Sequence, residues 1–404
     1  MSSLVISLKI ITIFKNIIND GAVSSFIDVL TETDNYDFDK FLSAYSNFIS
    51  ILYAKEKNQN FYNYVKELIY TDENIISKGC GSCISENNTI LNTANYELTL
   101  INKLFIDNFA DFKQYITDKF PKHKDVIEHL PEFTTTGKTD FNINDIIKSY
   151  KNNGYGKFAC FNAFKFNENK EIIPVKYFES MTFERLKNYK YQKEVIYNNT
   201  KAFLEGKEAN NILLYGDRGC GKSSTVKALV NEFSDYNLKI VQITKESFIY
   251  LSDLYEEIRN LPLKFIIFAD DISFDEADKN FSSIKAVLEG SLSDRPKNAI
   301  IYATTNRMHL VKESFSAREG NEIHFNDTID EMVSLSDRFG IMLTFSMLTK
   351  VEYLDIVKKI AQDCCINVND NFLRKAEQFA ALKSIRTPRV ARQFITDYIA
   401  ETNL

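Results

Sequence analysis

The 404-residue chain has only six cysteines, which is too few for a disulfide scaffold and predicts a reducing compartment, the cytoplasm. One pair, Cys80 and Cys83, has C-x-x-C spacing inside Gly79-Cys80-Gly81-Ser82-Cys83, but no second such pair exists to complete a four-thiolate metal site. Cys364 and Cys365 are adjacent and read as part of a helix. The first fifteen residues are apolar but carry Lys9 and Lys15, and lack both a basic front end and a small-residue cleavage site. They predict a helix that buries one face, not a leader or a membrane span. Internal repeats and low-complexity tracts are missing. Positive charge is not in excess either: the net charge of -6 argues against a generic polyanion binder, so nucleic acid is a possible partner that the composition does not indicate. What remains, 44% hydrophobic and 26% charged residues over this length, describes a globular chain of two or three domains.

Residues 1 to about 150 carry apolar stripes at helical spacing, Phe41-Tyr45-Phe48-Ile49-Leu52 and then Leu98-Leu100-Ile101-Leu104-Phe105-Phe109. These predict core, not a ligand box. Residues 154–180, with two glycines, alternating Phe and Ala positions and Pro174, predict a hairpin or extended linker. From about 178 the pattern changes. Short apolar runs at Ile212–Tyr215, Ile240–Thr244, Phe265–Ala269, Ala299–Ala303 and Met342–Phe345 alternate with helical stretches, which predicts a parallel sheet built from βαβ units. From about 349 the chain reads as helical again. The expected division is a mostly helical N-terminal domain (1–177), an α/β core (178–348) and a helical lid (349–404).

Residues 216–223, G-D-R-G-C-G-K-S, fit the phosphate-binding loop pattern at every fixed position, with a strand before and a helix from Ser224 to Phe233 after. The chemistry needs that order. Gly216, Gly219 and Gly221 let the backbone curl so that successive N–H groups, including those of Asp217, Arg218, Cys220 and Ser224, face phosphate oxygens. The helix adds its positive end. Lys222 reaches the terminal phosphates and the Ser223 hydroxyl ligates Mg²⁺. Cys220 lies among inward N–H groups, two residues before Lys222 and at a helix start, so it reads as an activated thiolate.

Phe265-Ile266-Ile267-Phe268-Ala269 is a buried-strand run that ends in Asp270 and Asp271. In open α/β sheets ligands sit at the carboxyl ends of strands, so Asp270 is expected to hold Mg²⁺ and Asp271 to orient or deprotonate water. A second buried run, residues 299–305, ends in Asn306, which can hydrogen-bond that water or a phosphate, or simply close the strand. Arg338, in L-S-D-R-F-G, precedes the last strand. It can stabilise phosphoryl charge from a neighbouring subunit, or pair with Asp337. In R-T-P-R-V-A-R, Thr387 and Pro388 signal a helix start, which puts Arg389 and Arg392 in the first turns. Cations there are unfavourable unless an anion docks; the alternative is a solvated basic face.

In this order, G-D-R-G-C-G-K-S-S, D-D-I-S-F, A-V-L-E-G, Y-A-T-T-N-R, L-S-D-R-F-G and R-V-A-R-Q-F resemble an AAA+ ATPase, and more closely an uncharacterised bacterial AAA+ family known only as a domain of unknown function. The resemblance covers about 178 to 404. It implies a P-loop NTPase fold, ATP and Mg²⁺ as ligands, hydrolysis coupled to a protein client or to assembly on nucleic acid, a homo-oligomer, and no membrane partner. It also implies sensor-like roles for Asn306 and Arg389 and a finger role for Arg338. Two positions depart from the AAA+ pattern: Asp271 stands where most AAA+ proteins have Glu, and Cys220 where Thr or Ser is more usual.

Overall fold

The run Phe265–Ala269 shows no polar alternation because both faces of its strand are covered: Lys264–Ala269 (β5) is buried at every position after the first. Ala299–Thr305 (β7) is buried throughout, and Leu238–Ile243 (β4) at all positions but one. With Ile212–Gly216 (β3) and Ile341–Phe345 (β9) they form the parallel core of one sheet. The five predicted strands are present, with ends shifted by no more than two residues. In a computed structural model the chain is described over residues 2–55, 60–79, 88–105, 109–135, 140–179, 181–272, 274–275, 295–306, 311–312 and 339–402.

A hairpin of Ala163–Phe166 (β1) and Ile172–Pro174 (β2) completes the sheet, whose order is β2-β1-β4-β5-β7-β3-β9. β1 pairs antiparallel with β2 and parallel with β4. Every other neighbouring pair is parallel. Two-residue strands Phe274–Asp275 (β6) and Val311–Lys312 (β8) pair separately. After β3 the chain crosses β7 and β5 to reach β4, whereas β9 returns to the far side of β3. The strand order therefore reverses beside β3, where a crevice opens at the carboxyl ends.

The chain divides into two compact units, Met1–Cys160 with Asn260–Pro262, and Phe161–Arg259 with Leu263–Leu404. The hairpin read from sequence as the end of the N-terminal part thus belongs to the sheet of the second unit, because β1 hydrogen-bonds along β4. The first unit is helical in its described residues. Phe41, Tyr45, Phe48, Ile49 and Leu52 are buried along the helix Phe38–Lys55, as their spacing predicts. Phe26 packs rings with Phe48, Phe61 and Phe133 at its centre. None of the described helices is long and apolar enough to cross a membrane.

Three helices close the second unit: Lys350–Asp363, Asp370–Leu382 and Pro388–Thr402. Thr349 and Glu352 cap the first reciprocally, and Asn369 caps the second. Thr387 accepts from the Val390 N–H, so the third begins at Pro388 as the Thr-Pro signal predicts. Tyr353, Ile356, Phe372, Val390 and Phe394 form this lid's own core.

Candidate functional site

The glycine loop leaves β3 at Gly216 and enters the helix Lys222–Glu232. Two of its glycines are required by space. Gly216 has φ 131, and a Cβ there would stand 2.2 Å from the Phe345 carbonyl oxygen. Gly219 has φ 81, and a Cβ would meet Thr387 Oγ1 at 3.1 Å and Arg389 Cβ at 3.2 Å, both at the start of the third lid helix. The Arg389 N–H donates to the Gly219 carbonyl at 3.3 Å, so the lid rests directly on the loop.

Lys222 is buried, and its Nζ donates to the carbonyls of Gly216 (2.7 Å) and Asp217 (2.9 Å) and to Asn306 Oδ1 (3.0 Å). Burial pushes its pKa down, opposed by the charges of nearby acids. Asn306 turns its other end to Asp271: Nδ2 donates to Asp271 Oδ1 at 2.5 Å. Ser223 Oγ donates to Asp270 Oδ1 at 2.6 Å, and so does Thr304 Oγ1 at 2.7 Å. Asp271 has φ 52, a left-handed conformation that is uncommon for a residue with a Cβ. The loop, the acidic pair at the end of β5 and Asn306 at the end of β7 are thus joined by one hydrogen-bonded network.

They line a cleft of about 820 Å³ that also takes in Arg218, Ser224, Arg389 and Arg392. Arg392 donates to the Arg185 carbonyl at 2.9 Å. Arg338 lies outside the described residues, as do Cys80 and Cys83. Asp217 is part of the loop, but its side chain is turned elsewhere. Its Oδ2 accepts from the Met347 N–H at 2.9 Å, and its own N–H donates to the Phe345 carbonyl at 3.0 Å.

Cys220 corrects an expectation. It is 1% exposed, its Sγ donates to the Ser346 carbonyl at 3.6 Å, and burial pushes the thiol pKa up, not down. Removal from water outweighs the Tyr189 hydroxyl and Lys222, which favour thiolate. Tyr189 completes this corner. Its hydroxyl donates to the same Ser346 carbonyl at 2.6 Å and its ring packs on Phe345. The sequence reading missed Tyr189 and Thr304. Thr304 had a partial signal, a hydroxyl residue closing a buried run; the observed register Ala269↔Ala303 of β5 and β7 is what sets it beside Asp270. Tyr189 had none, being 157 residues from its partner.

The donor set suits a nucleotide with a divalent cation. The glycine cradle leaves no room for a Cβ at Gly216 and little at Gly219, a helix N-terminus follows it, and a hydroxyl and a carboxylate, hard oxygen ligands, converge at Ser223 and Asp270.

Human (Homo sapiens) replication factor C subunit 4 is 24% identical over 258 residues, which is 57% of this chain and 64% of that protein. The chain therefore spans a little under two thirds of that relative. Among solved structures, a point variant of Thermotoga maritima RuvB is 16% identical, covering 56% of this chain and 68% of that chain with TM-score 0.38. The Aeropyrum pernix Orc1 protein in complex with DNA is 15% identical, covering 53% and 60% with TM-score 0.37. The family described as "Protein of unknown function (DUF815)" matches residues 158–402, from just before β1 to the end of the last lid helix. The chain belongs to that family, whose match spans the parallel sheet with its glycine loop and the helical lid.

Proposed function

We propose that this protein binds ATP with Mg²⁺ between sheet and lid, hydrolyses it, and passes the resulting lid movement to a protein client. The observation that carries the reading is the network Ser223–Asp270–Thr304 and Lys222–Asn306–Asp271, which gathers a cation-binding pair, a phosphate-binding cation and a candidate base at the carboxyl edge of one sheet. In this reading the loop from Gly216 to Ser224 holds the phosphates, and Ser223 and Asp270 hold the metal. Bound Mg²⁺ supplies neutralisation of charge on the phosphate oxygens. Asp271 orients and deprotonates the attacking water, and Asn306 fixes that carboxylate. Arg389, at the lid helix that touches Gly219, senses the phosphates from the lid side. Arg338 acts on the ATP of a neighbouring subunit in a homo-oligomer.

The test begins with binding. ATP–Mg²⁺ should raise the melting temperature of the wild type by mass action and leave Lys222→Ala unmoved. Asp270→Asn should weaken the Mg²⁺ dependence of binding, whereas Asp271→Asn should keep ATP and lose turnover. Equal thermal shifts in wild type and Lys222→Ala remove the assignment.

A second reading is a slow-turnover assembly or loading protein that acts on nucleic acid or its complexes. It is favoured by Asp271, one methylene shorter than the Glu usual in AAA+ proteins and drawn onto Asn306. Turnover stimulated by a protein client supports the first reading; negligible turnover with ATP-dependent association supports the second.

A further inference from the structure

We infer that Thr304 is a positioning residue that sets both carboxylates of the acidic pair through a single hydroxyl. The inference rests on the nucleotide reading above and assigns a role to a residue outside the loop, the acidic pair and Asn306. Thr304 lies in β7 and is 1% exposed, so its hydroxyl cannot turn to water for a partner. Oγ1 donates to Asp270 Oδ1 at 2.7 Å and accepts from the Asp271 N–H at 2.8 Å. Neither direction can be reversed, because an amide only donates and a carboxylate only accepts. The hydroxyl is therefore used once as donor and once as acceptor, in a chain from Asp271 N–H through Thr304 to Asp270.

The backbone of Thr304 adds a second grip. Its carbonyl accepts from the Ile272 N–H at 2.8 Å. Asp271 is thus pinned on both flanks by one residue, and it is there that the chain takes φ 52. A left-handed Asp costs about 1–2 kcal/mol and persists only where its surroundings over-determine it. The consequence is directional. With the N–H of Asp271 fixed to β7, its side chain points to Asn306 while that of Asp270 points to Ser223. One hydroxyl thereby separates the two acids into a metal-side and a water-side group.

Two variants test this. Thr304→Val keeps shape and removes the hydroxyl; Thr304→Ser keeps the hydroxyl and removes only a methyl. Binding of a fluorescent ATP analogue is measured in EDTA and across a Mg²⁺ titration, together with kcat. For Thr304→Val the expected result is unchanged affinity in EDTA, with Mg²⁺ affinity and kcat each lowered about 10- to 100-fold, the usual loss when a group that orients a metal ligand is removed. Thr304→Ser should restore most of both. A valine variant with wild-type Mg²⁺ dependence and kcat overturns the inference. So does a serine variant as impaired as valine, since the methyl would then be what matters. If the wild type neither binds nor hydrolyses ATP, the nucleotide reading fails on its own, and a crystal structure of Thr304→Val decides the positioning role. Asp271 should leave the left-handed region; retention of its φ refutes the role.

Discussion

Adding one methyl at three glycines of the second unit should destabilise it in a graded way that the surroundings dictate. Gly206, Gly219 and Gly216 all have positive φ, but a Cβ at Gly206 would meet nothing within 4 Å. Gly206→Ala therefore isolates the conformational cost of about 1–2 kcal/mol, offset by about 0.4–1 kcal/mol from a less flexible unfolded chain. At Gly216 the Cβ would stand 2.2 Å from the Phe345 oxygen, an atom of strand backbone that already accepts from the Asp217 N–H. Relief requires β3 and β9 to part, because Gly216 and Phe345 are registered partners. Conformation, overpacking near its upper end and one lost hydrogen bond together come to about 3–6 kcal/mol. Calorimetric melting of this unit converts 1 kcal/mol to ~2–4 °C, so Gly206→Ala should melt at most about 6 °C below wild type and Gly216→Ala about 6–24 °C below. Gly219→Ala should fall between them and carry its own signature. Its two close contacts, Thr387 and Arg389, belong to the lid, so strain is released by lifting that helix, and amides 389–391 should exchange faster. Gly216→Ala melting within about 3 °C of Gly206→Ala would show that β9 yields freely and refute the reasoning.

Thiol reagents should modify the exposed Cys160, Cys364 and Cys365 in the folded protein and reach Cys220 only after unfolding, as peptide mapping will show; fast ATP-protected alkylation at Cys220 contradicts its burial. Tyr302 is fully buried, bonded to Thr200 and Asn199, and pushed up to about 12 by burial. Its folded pKa lies above its unfolded value of 10.0, so the stability it contributes is complete below pH 10 and lost as pH rises towards 12. Tyr302→Phe should cost about 1–2 kcal/mol near neutrality and flatten that alkaline loss, as equilibrium unfolding at several pH values will measure. Mixing inactive Arg338→Ala with inactive Lys222→Ala should restore partial turnover, since some interfaces then pair an intact loop with an intact Arg. A mixture that stays dead despite verified subunit exchange excludes action across subunits.

The sequence was most legible where burial on both faces writes a continuous apolar run. Phe265–Ala269 could be nothing but an interior strand, and the acids at its end had to emerge at the sheet's edge. The loop was legible because its glycines, Lys222 and Ser223 fall at fixed spacing between an apolar run and a helical stretch. Illegible was whatever depends on long-range pairing. That β1 would run along β4 is decided about 75 residues away, and no local pattern in Ala163–Phe166 announces it. Cys220 misled for a related reason: its neighbours in sequence favour thiolate, whereas the segment that buries it, around Ser346, lies 126 residues further on.

That segment, which links β9 to the lid, has a mechanical consequence. Phe345 accepts from the Asp217 N–H, Ser346 from Cys220 and Tyr189, and Met347 donates to the Asp217 carboxylate. Three successive residues are clamped, two of them by the phosphate loop alone and the third by the loop and Tyr189 together. A change in the loop's curvature therefore pulls on the base of the lid through these bonds, and a swing of the lid pulls on the loop. Loop and lid are thereby joined like a crank, through the backbone of one short segment. Asp217 and Cys220 are the fittings of that joint: each binds the segment after β9, and neither can be exchanged without loosening the hold of the loop on the lid.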